Sequence, residues 1–119
     1  MKSILFIILA ALVASLIWLI FSPKTPAYGR LDEFAKCLSQ KGVTMYGADW
    51  CSHCQNEKKA FGNSFEYVSY VECPKNPELC LQKGVEAYPT WILPNGAKLV
   101  GEQGIEKLSE LSSCPLTEK

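Results

Sequence analysis

The sequence carries no excess charge of either sign, since 12 Lys+Arg balance 12 Asp+Glu. That balance removes the electrostatic case for nucleic acid, whose binders concentrate basic residues on one surface. Length is scarce too: 119 residues leave room for one small domain and exclude a large multidomain enzyme. Internal repeats and low-complexity segments are absent, which excludes a repeat array. Two things are abundant instead. Six cysteines are too many for a reducing cytosol unless they bind metal or do redox chemistry. The apolar residues are unevenly spread, with one long run at the start of the chain.

From Ile4 to Phe21 the chain reads ILFIILAALVASLIWLIF, with Ser15 its only polar residue. A helix of that length rises about 27 Å, close to the roughly 30 Å hydrocarbon core of a bilayer. Residues 1–21 therefore read as an uncleaved membrane anchor, with the membrane contact at 4–21. The alternative is a cleaved signal peptide with a cut near Ala27, but such apolar regions are usually shorter and end in a small-x-small site. Lys2 lies on one side of the run, and Lys24 and Arg30 on the other, so the positive-inside rule does not decide orientation. Both readings direct the chain towards export, and the cysteine count agrees. The expected location is a membrane-anchored domain on the periplasmic or extracellular face. Residues 22–30 (SPKTPAYGR) hold two prolines and read as a semi-rigid linker reaching at most ~28 Å. The folded domain is placed at 31–119.

Within it, Leu31, Phe34, Ala35 and Leu38 have helical spacing, with Asp32 and Glu33 in a favourable first turn. Gly42 stops that helix, and Val43–Ala48 is a short apolar run that reads as a buried strand. Gln55 to Phe61 is a polar helical stretch ended by Gly62, and Phe65–Val71 (FEYVSYV) predicts a second strand. Asn76-Pro77-Glu78 supplies a cap, a first-turn proline and an acid, so 77–83 is a short helix stopped by Gly84. Thr90–Leu93 and Ala97–Val100 flank Pro94-Asn95-Gly96, a hairpin signal. Ile105, Leu108 and Leu111 mark a last helix. The order α-β-α-β-α-β-β-α predicts an α/β fold, a mixed sheet of about four strands flanked by helices.

Cys51-Ser52-His53-Cys54 is the strongest chemical signal. Two cysteines this far apart close a small disulfide ring when the second lies one helical turn after the first. If Cys51 opens a helix, its sulfur meets unpaired N–H groups and the positive end of the helix dipole, which favour thiolate. Protonated His53 would add to that effect. A more stable thiolate also leaves more readily, which biases the pair towards donating disulfides. Cys54 is then the resolving thiol. The rival readings are half of a zinc site completed by Cys73 and Cys80, and a purely structural bridge. The Cys73/Cys80 separation exceeds the usual zinc spacing. A haem attachment would need histidine where Gln55 stands. No metal is expected, and the only redox group implied is the Cys51–Cys54 disulfide itself.

Strand, Trp50-Cys51-x-x-Cys54, helix, and later Tyr88-Pro89-Thr90 before a strand resemble the thioredoxin superfamily over about residues 31–113. The resemblance implies a cis Pro89 facing the cysteine pair, with the backbone beside it docking an extended substrate. More narrowly, MYGADWCSHCQNEKKAFG, YVEC and GVEAYPTW resemble the thioredoxin-like domain associated with bacterial and archaeal vitamin K epoxide reductase homologues. That resemblance implies re-oxidation by such a protein, or by another quinone-linked membrane oxidoreductase, and oxidation of exported cysteine-containing proteins. The opposite direction, a disulfide reductase or isomerase fed by a membrane electron donor, is the alternative. Met45 stands where many relatives carry a buried acid that assists the second cysteine. Asp49, two residues before Cys51, reads as solvated.

The remaining cysteines allow three pairings, of which Cys73–Cys80 and Cys37–Cys114 are favoured. A second redox pair at Cys73/Cys80 relaying electrons to Cys51 is the rival. Trp50 and Tyr88 are candidates for contact with substrate. Trp91, Tyr46 and Phe61 read as core, and Lys58-Lys59 as a solvated helix face.

Overall fold

The computed structural model of the chain describes residues 1–21 and 31–117. The linker predicted at 22–30 lies outside the described residues. Lys2–Phe21 forms a single 20-residue helix, α1, exposed along its whole length. By length and composition α1 is sufficient to cross a membrane.

The domain that follows is built on four strands: β1 (Thr44–Gly47), β2 (Ser69–Glu72), β3 (Thr90–Ile92) and β4 (Lys98–Val100). Their order across the sheet is β2-β1-β3-β4. The β1–β2 pair is parallel, and β1–β3 and β3–β4 are antiparallel. Strand β1 is central because its short apolar run can be buried on both faces. Four helices accompany the sheet: α2 (Asp32–Gln40), α3 (Ser52–Phe61), α4 (Pro77–Gln82) and α5 (Ile105–Ser112). Helix α2 buries Phe34, Ala35 and Leu38, and α5 buries Ile105 and Leu108. Leu111, with the same helical spacing, stays 43% exposed, because α5 ends one residue later at Ser112.

Alternation along the strands divides the core in two. Met45, Tyr70 and Trp91 share one face with α3 and the larger core cluster. Tyr46 lies on the other, with Cys73, Cys80 and Val85. Phe61 of α3 joins the larger cluster by stacking on Phe34 at 5.7 Å and meeting Trp91 at 6.0 Å. Trp91 is fully buried, and its indole N–H donates to Glu57 Oε2 at 2.6 Å. Glu57 is itself only 3% exposed, and its second oxygen accepts the backbone N–H groups of Gln103 (3.1 Å) and Gly104 (2.8 Å). One buried carboxylate thus ties α3 to β3 and to the loop before α5.

The sequence reading needs two corrections here. The strand expected at 65–71 begins only at Ser69, because 62–67 coils into a 3-10 helix. There Phe65 packs edge-on to Phe61 and Tyr70, and Ser64 donates to Asp32. Tertiary packing outweighs the β-propensity of the segment. Asn76 precedes α4 as expected but does not cap it; its side-chain amide donates backwards to the Glu72 carbonyl.

Two disulfides staple the domain. Cys37 of α2 is bonded to Cys114 beyond α5, and Cys73 to Cys80 across the start of α4. The first spans 77 residues of sequence, so on a chain-entropy account it restricts the unfolded chain strongly. Replacing both Cys37 and Cys114 with Ala is expected to lower the unfolding free energy by about 4 kcal/mol, read from urea denaturation. Glu57→Ala strands three donors and is expected to cost about 3 kcal/mol in the same assay. An unchanged midpoint in that variant would remove Glu57 from the account of stability.

Candidate functional site

The end of β1 leads through Ala48, Asp49 and Trp50 to Cys51, which is the N-cap of α3. Its backbone is extended, and its sulfur accepts the Cys54 N–H at 3.2 Å, the contact an oxygen makes at an ordinary N-cap. The helix start and that N–H both complement negative charge on the Cys51 sulfur. Both cysteines are free thiols. Cys51 retains 7% exposure and Cys54 none. Burial pushes the Cys54 thiol up to about 12, and its hydrogen bond with Cys51 adds to the effect. A backbone hydrogen bond at Ala48 and the charge of Lys58 act in the opposite direction. The pair is therefore asymmetric: both cysteines are buried, but Cys51 keeps a slight opening to solvent while Cys54 is held neutral inside.

Gly47 makes that geometry possible. A Cβ on it would lie 2.8 Å from Cys54 Sγ and 3.3 Å from the Tyr70 ring. Only glycine lets the helix approach the strand this closely, a meaning glycine often has inside a strand.

Pro89 reaches the site through strand register. Tyr46 of β1 pairs with Thr90 of β3, so the residue before β3 lies beside the end of β1, where the chain leaves for Cys51. The Tyr88–Pro89 bond is cis, and Pro89 is fully buried. Tyr88 meets the ring of Trp50 edge-on at 5.9 Å, and Trp50 is 73% exposed. Together with Cys51, Ser52, His53 and residues 85–87 they line an open groove of about 520 Å³. The structure thus brings Trp50, Cys51, His53 and Tyr88 to one groove, with Cys54 beneath it.

His53 has a partner that sequence reasoning missed. Its Nδ1 lies 2.5 Å from Glu102 Oε1 in the β4–α5 loop, and Asn56 donates to the same oxygen at 2.9 Å. Those contacts, Asn56 first and His53 second, hold the Glu102 carboxyl below its usual range. Nothing in the spacing of the sequence pointed to Glu102, which lies 49 residues away.

Lys58 also departs from its sequence reading as part of a solvated face. Its side chain is 25% exposed and reaches Asp49 Oδ1 at 3.2 Å, while its ammonium sits 4.0 Å from the Tyr70 ring centroid. The hydrogen bond from Lys58 holds the Asp49 carboxyl below the ordinary carboxylate range. A signal was available: Lys58 follows Cys54 by four residues, which places both on one side of α3.

Cys73 and Cys80 are 1% and 4% exposed, and bonded to each other beneath Tyr46. Their bond leaves no set of four thiols to complete a zinc site with Cys51 and Cys54.

Comparison with known proteins agrees with this architecture. The family model described as Thioredoxin matches residues 28–114. The chain is 37% identical over 91 residues to thiol-disulfide oxidoreductase LTO1 of Arabidopsis thaliana, covering 69% of this chain and 24% of that protein. It is 33% identical over 81 residues to protein disulfide-isomerase A5 of Mus musculus, covering 58% of this chain and 16% of the relative. The match thus spans a quarter or less of the length of these relatives. Among solved structures, thioredoxin of Fasciola hepatica aligns with a TM-score of 0.47 at 25% identity, over 66% of this chain and 86% of that one. The fold, the cysteine pair at the start of α3 and the family-model match meet in one conclusion: the chain belongs to the thioredoxin family.

Proposed function

We propose that the chain is a membrane-tethered oxidant of exported proteins, working outside the cytoplasm and re-oxidised by a quinone-linked membrane protein of the vitamin K epoxide reductase type. The asymmetry of the cysteine pair is the observation that carries this reading. Cys51 is the sulfur a substrate can reach, and its position at the helix start stabilises the reduced form of the pair. The more stable that form, the stronger the oxidant its disulfide makes. Helix α1 supplies the tether, and the sequence resemblance supplies the class of membrane partner.

The chemistry runs as two exchanges. A substrate thiolate attacks Cys51 Sγ of the Cys51–Cys54 disulfide; the bond to Cys54 breaks, and Cys54 departs with the electron pair and takes a proton. A second substrate thiolate then attacks the substrate sulfur of the mixed disulfide and expels Cys51. The substrate loses two electrons and gains a disulfide, and the pair becomes a dithiol until the membrane partner restores it. Trp50 and Tyr88 offer apolar contact beside Cys51. The backbone before the cis Pro89 offers hydrogen bonds to an extended substrate segment, and His53, held by Glu102, lines the groove beside Cys51. No cofactor beyond the cysteine pair enters the scheme.

Alkylation trapping in cells is expected to find Cys51 and Cys54 mostly oxidised. A mostly reduced pair would overturn the oxidant reading in favour of a reductase or isomerase fed by a membrane donor. Cys54→Ala is expected to accumulate mixed disulfides with exported proteins, and a Cys51→Ala/Cys54→Ala double variant none.

A further inference from the structure

Beside Cys54, four residues close a ring. Lys58 Nζ meets Asp49 Oδ1 at 3.2 Å and lies over the Tyr70 ring at 4.0 Å. The Tyr70 hydroxyl donates to Glu72 Oε2, and Glu72 Oε1 accepts the Asp49 backbone N–H at 3.0 Å. Tyr70 and Cys54 both crowd Gly47, so this ring is built against the buried sulfur. The neighbours of Cys54 on other elements offer no substitute. Met45 of β1 is buried and neutral, and Glu57 is occupied by Trp91 and the 103–104 backbone. Tyr70 and Glu72 of β2 are bonded to each other. Lys58 is the one cation in this ring, and its side chain is largely covered, at 25% exposure.

We propose that Lys58, clamped between Asp49 and the Tyr70 ring, is the positioning residue whose charge lets buried Cys54 act as a thiolate. The proposal rests on the dithiol reading above but holds for either direction of electron flow. In resolution, Cys54 loses its proton to solvent, and its sulfur attacks Cys51 Sγ of the mixed disulfide. The Cys51–Cys54 bond forms, the bond from Cys51 to the substrate sulfur breaks, and the substrate leaves as thiolate. In the oxidising direction Cys54 departs with the electron pair and then takes a proton from solvent. Lys58 keeps its own proton throughout and contributes charge alone. Burial opposes the thiolate form of Cys54; a backbone hydrogen bond at Ala48 favours it first and the charge of Lys58 second.

The full chain in detergent micelles, reduced to the Cys51/Cys54 dithiol, can be mixed with 2,2′-dipyridyl disulfide. This neutral probe releases a coloured thione twice. The first release reports attack by Cys51 and the second reports resolution by Cys54. Lys58→Met is expected to slow the second phase about tenfold near neutral pH and to move its pH profile up by about one unit. The first phase should stay within about twofold, since Cys51 is served by the helix start. Lys58→Arg should restore the second phase, and Asp49→Asn, which keeps the cation but releases its clamp, should slow it by a smaller factor. A second phase unchanged in Lys58→Met, or one not restored by Lys58→Arg, would overturn the role of Lys58. Equal slowing of both phases would mark a merely structural residue and overturn it too. Release of only one thione per unsubstituted chain would instead overturn the dithiol reading itself.

Discussion

Cys54 sits directly against the backbone of Gly47, and the site is arranged around that approach. A strand and the helix that follows it are held apart by their side chains wherever both carry them. At Gly47 there is none, so α3 settles onto the end of β1 and takes its second cysteine out of water. That burial holds Cys54 neutral, while Cys51, one turn earlier, remains at the helix start beside the groove. The different tasks of two chemically identical residues follow from one missing Cβ.

Helix α3 also organises what surrounds the pair. Glu57 on its buried side holds the backbone at 103–104, and His53 and Asn56 hold Glu102 from the same loop. On its opposite flank Lys58 is drawn to Asp49 and the β2 aromatic. The cysteine pair thus lies between a histidine–carboxylate contact on one side and a lysine–carboxylate contact on the other. Contacts with at least one partner this open to water contribute little to stability. Their consequence is local: they decide which charges face the two sulfurs.

The two disulfides serve a different purpose from the free pair. Cys37–Cys114 closes the ends of the domain on each other, and Cys73–Cys80 sits under Tyr46 on the face of the sheet away from α3. The first bridge joins the larger core cluster and the second lies in the smaller one, so covalent links reinforce both parts of a modest core.

Much of this was legible from residue order. Helical spacing marked α2 and α5, an apolar run marked β1, and the hairpin signal at 94–96 marked β3 and β4. The Cys51/Cys54 spacing, followed by a helical stretch, placed the pair on one turn. These are local properties, set by backbone period and by the chemistry of near neighbours. The 3-10 helix at 62–67 was not legible, because Phe65 takes its place from contacts with Phe61 and Tyr70 rather than from its own propensity. Nor were the partners of the site's charged groups. Glu57 reads as one more polar residue on a polar helix until Trp91 arrives from β3 to donate to it. Glu102 and Glu72 become neighbours of His53 and Asp49 only when strands far apart in sequence pair. The sequence by itself determined which two cysteines share a helical turn, because that depends on a spacing of three residues. Only the tertiary structure decided which one is wholly closed to solvent and which charges surround it, because burial and electrostatics depend on what the rest of the chain brings near.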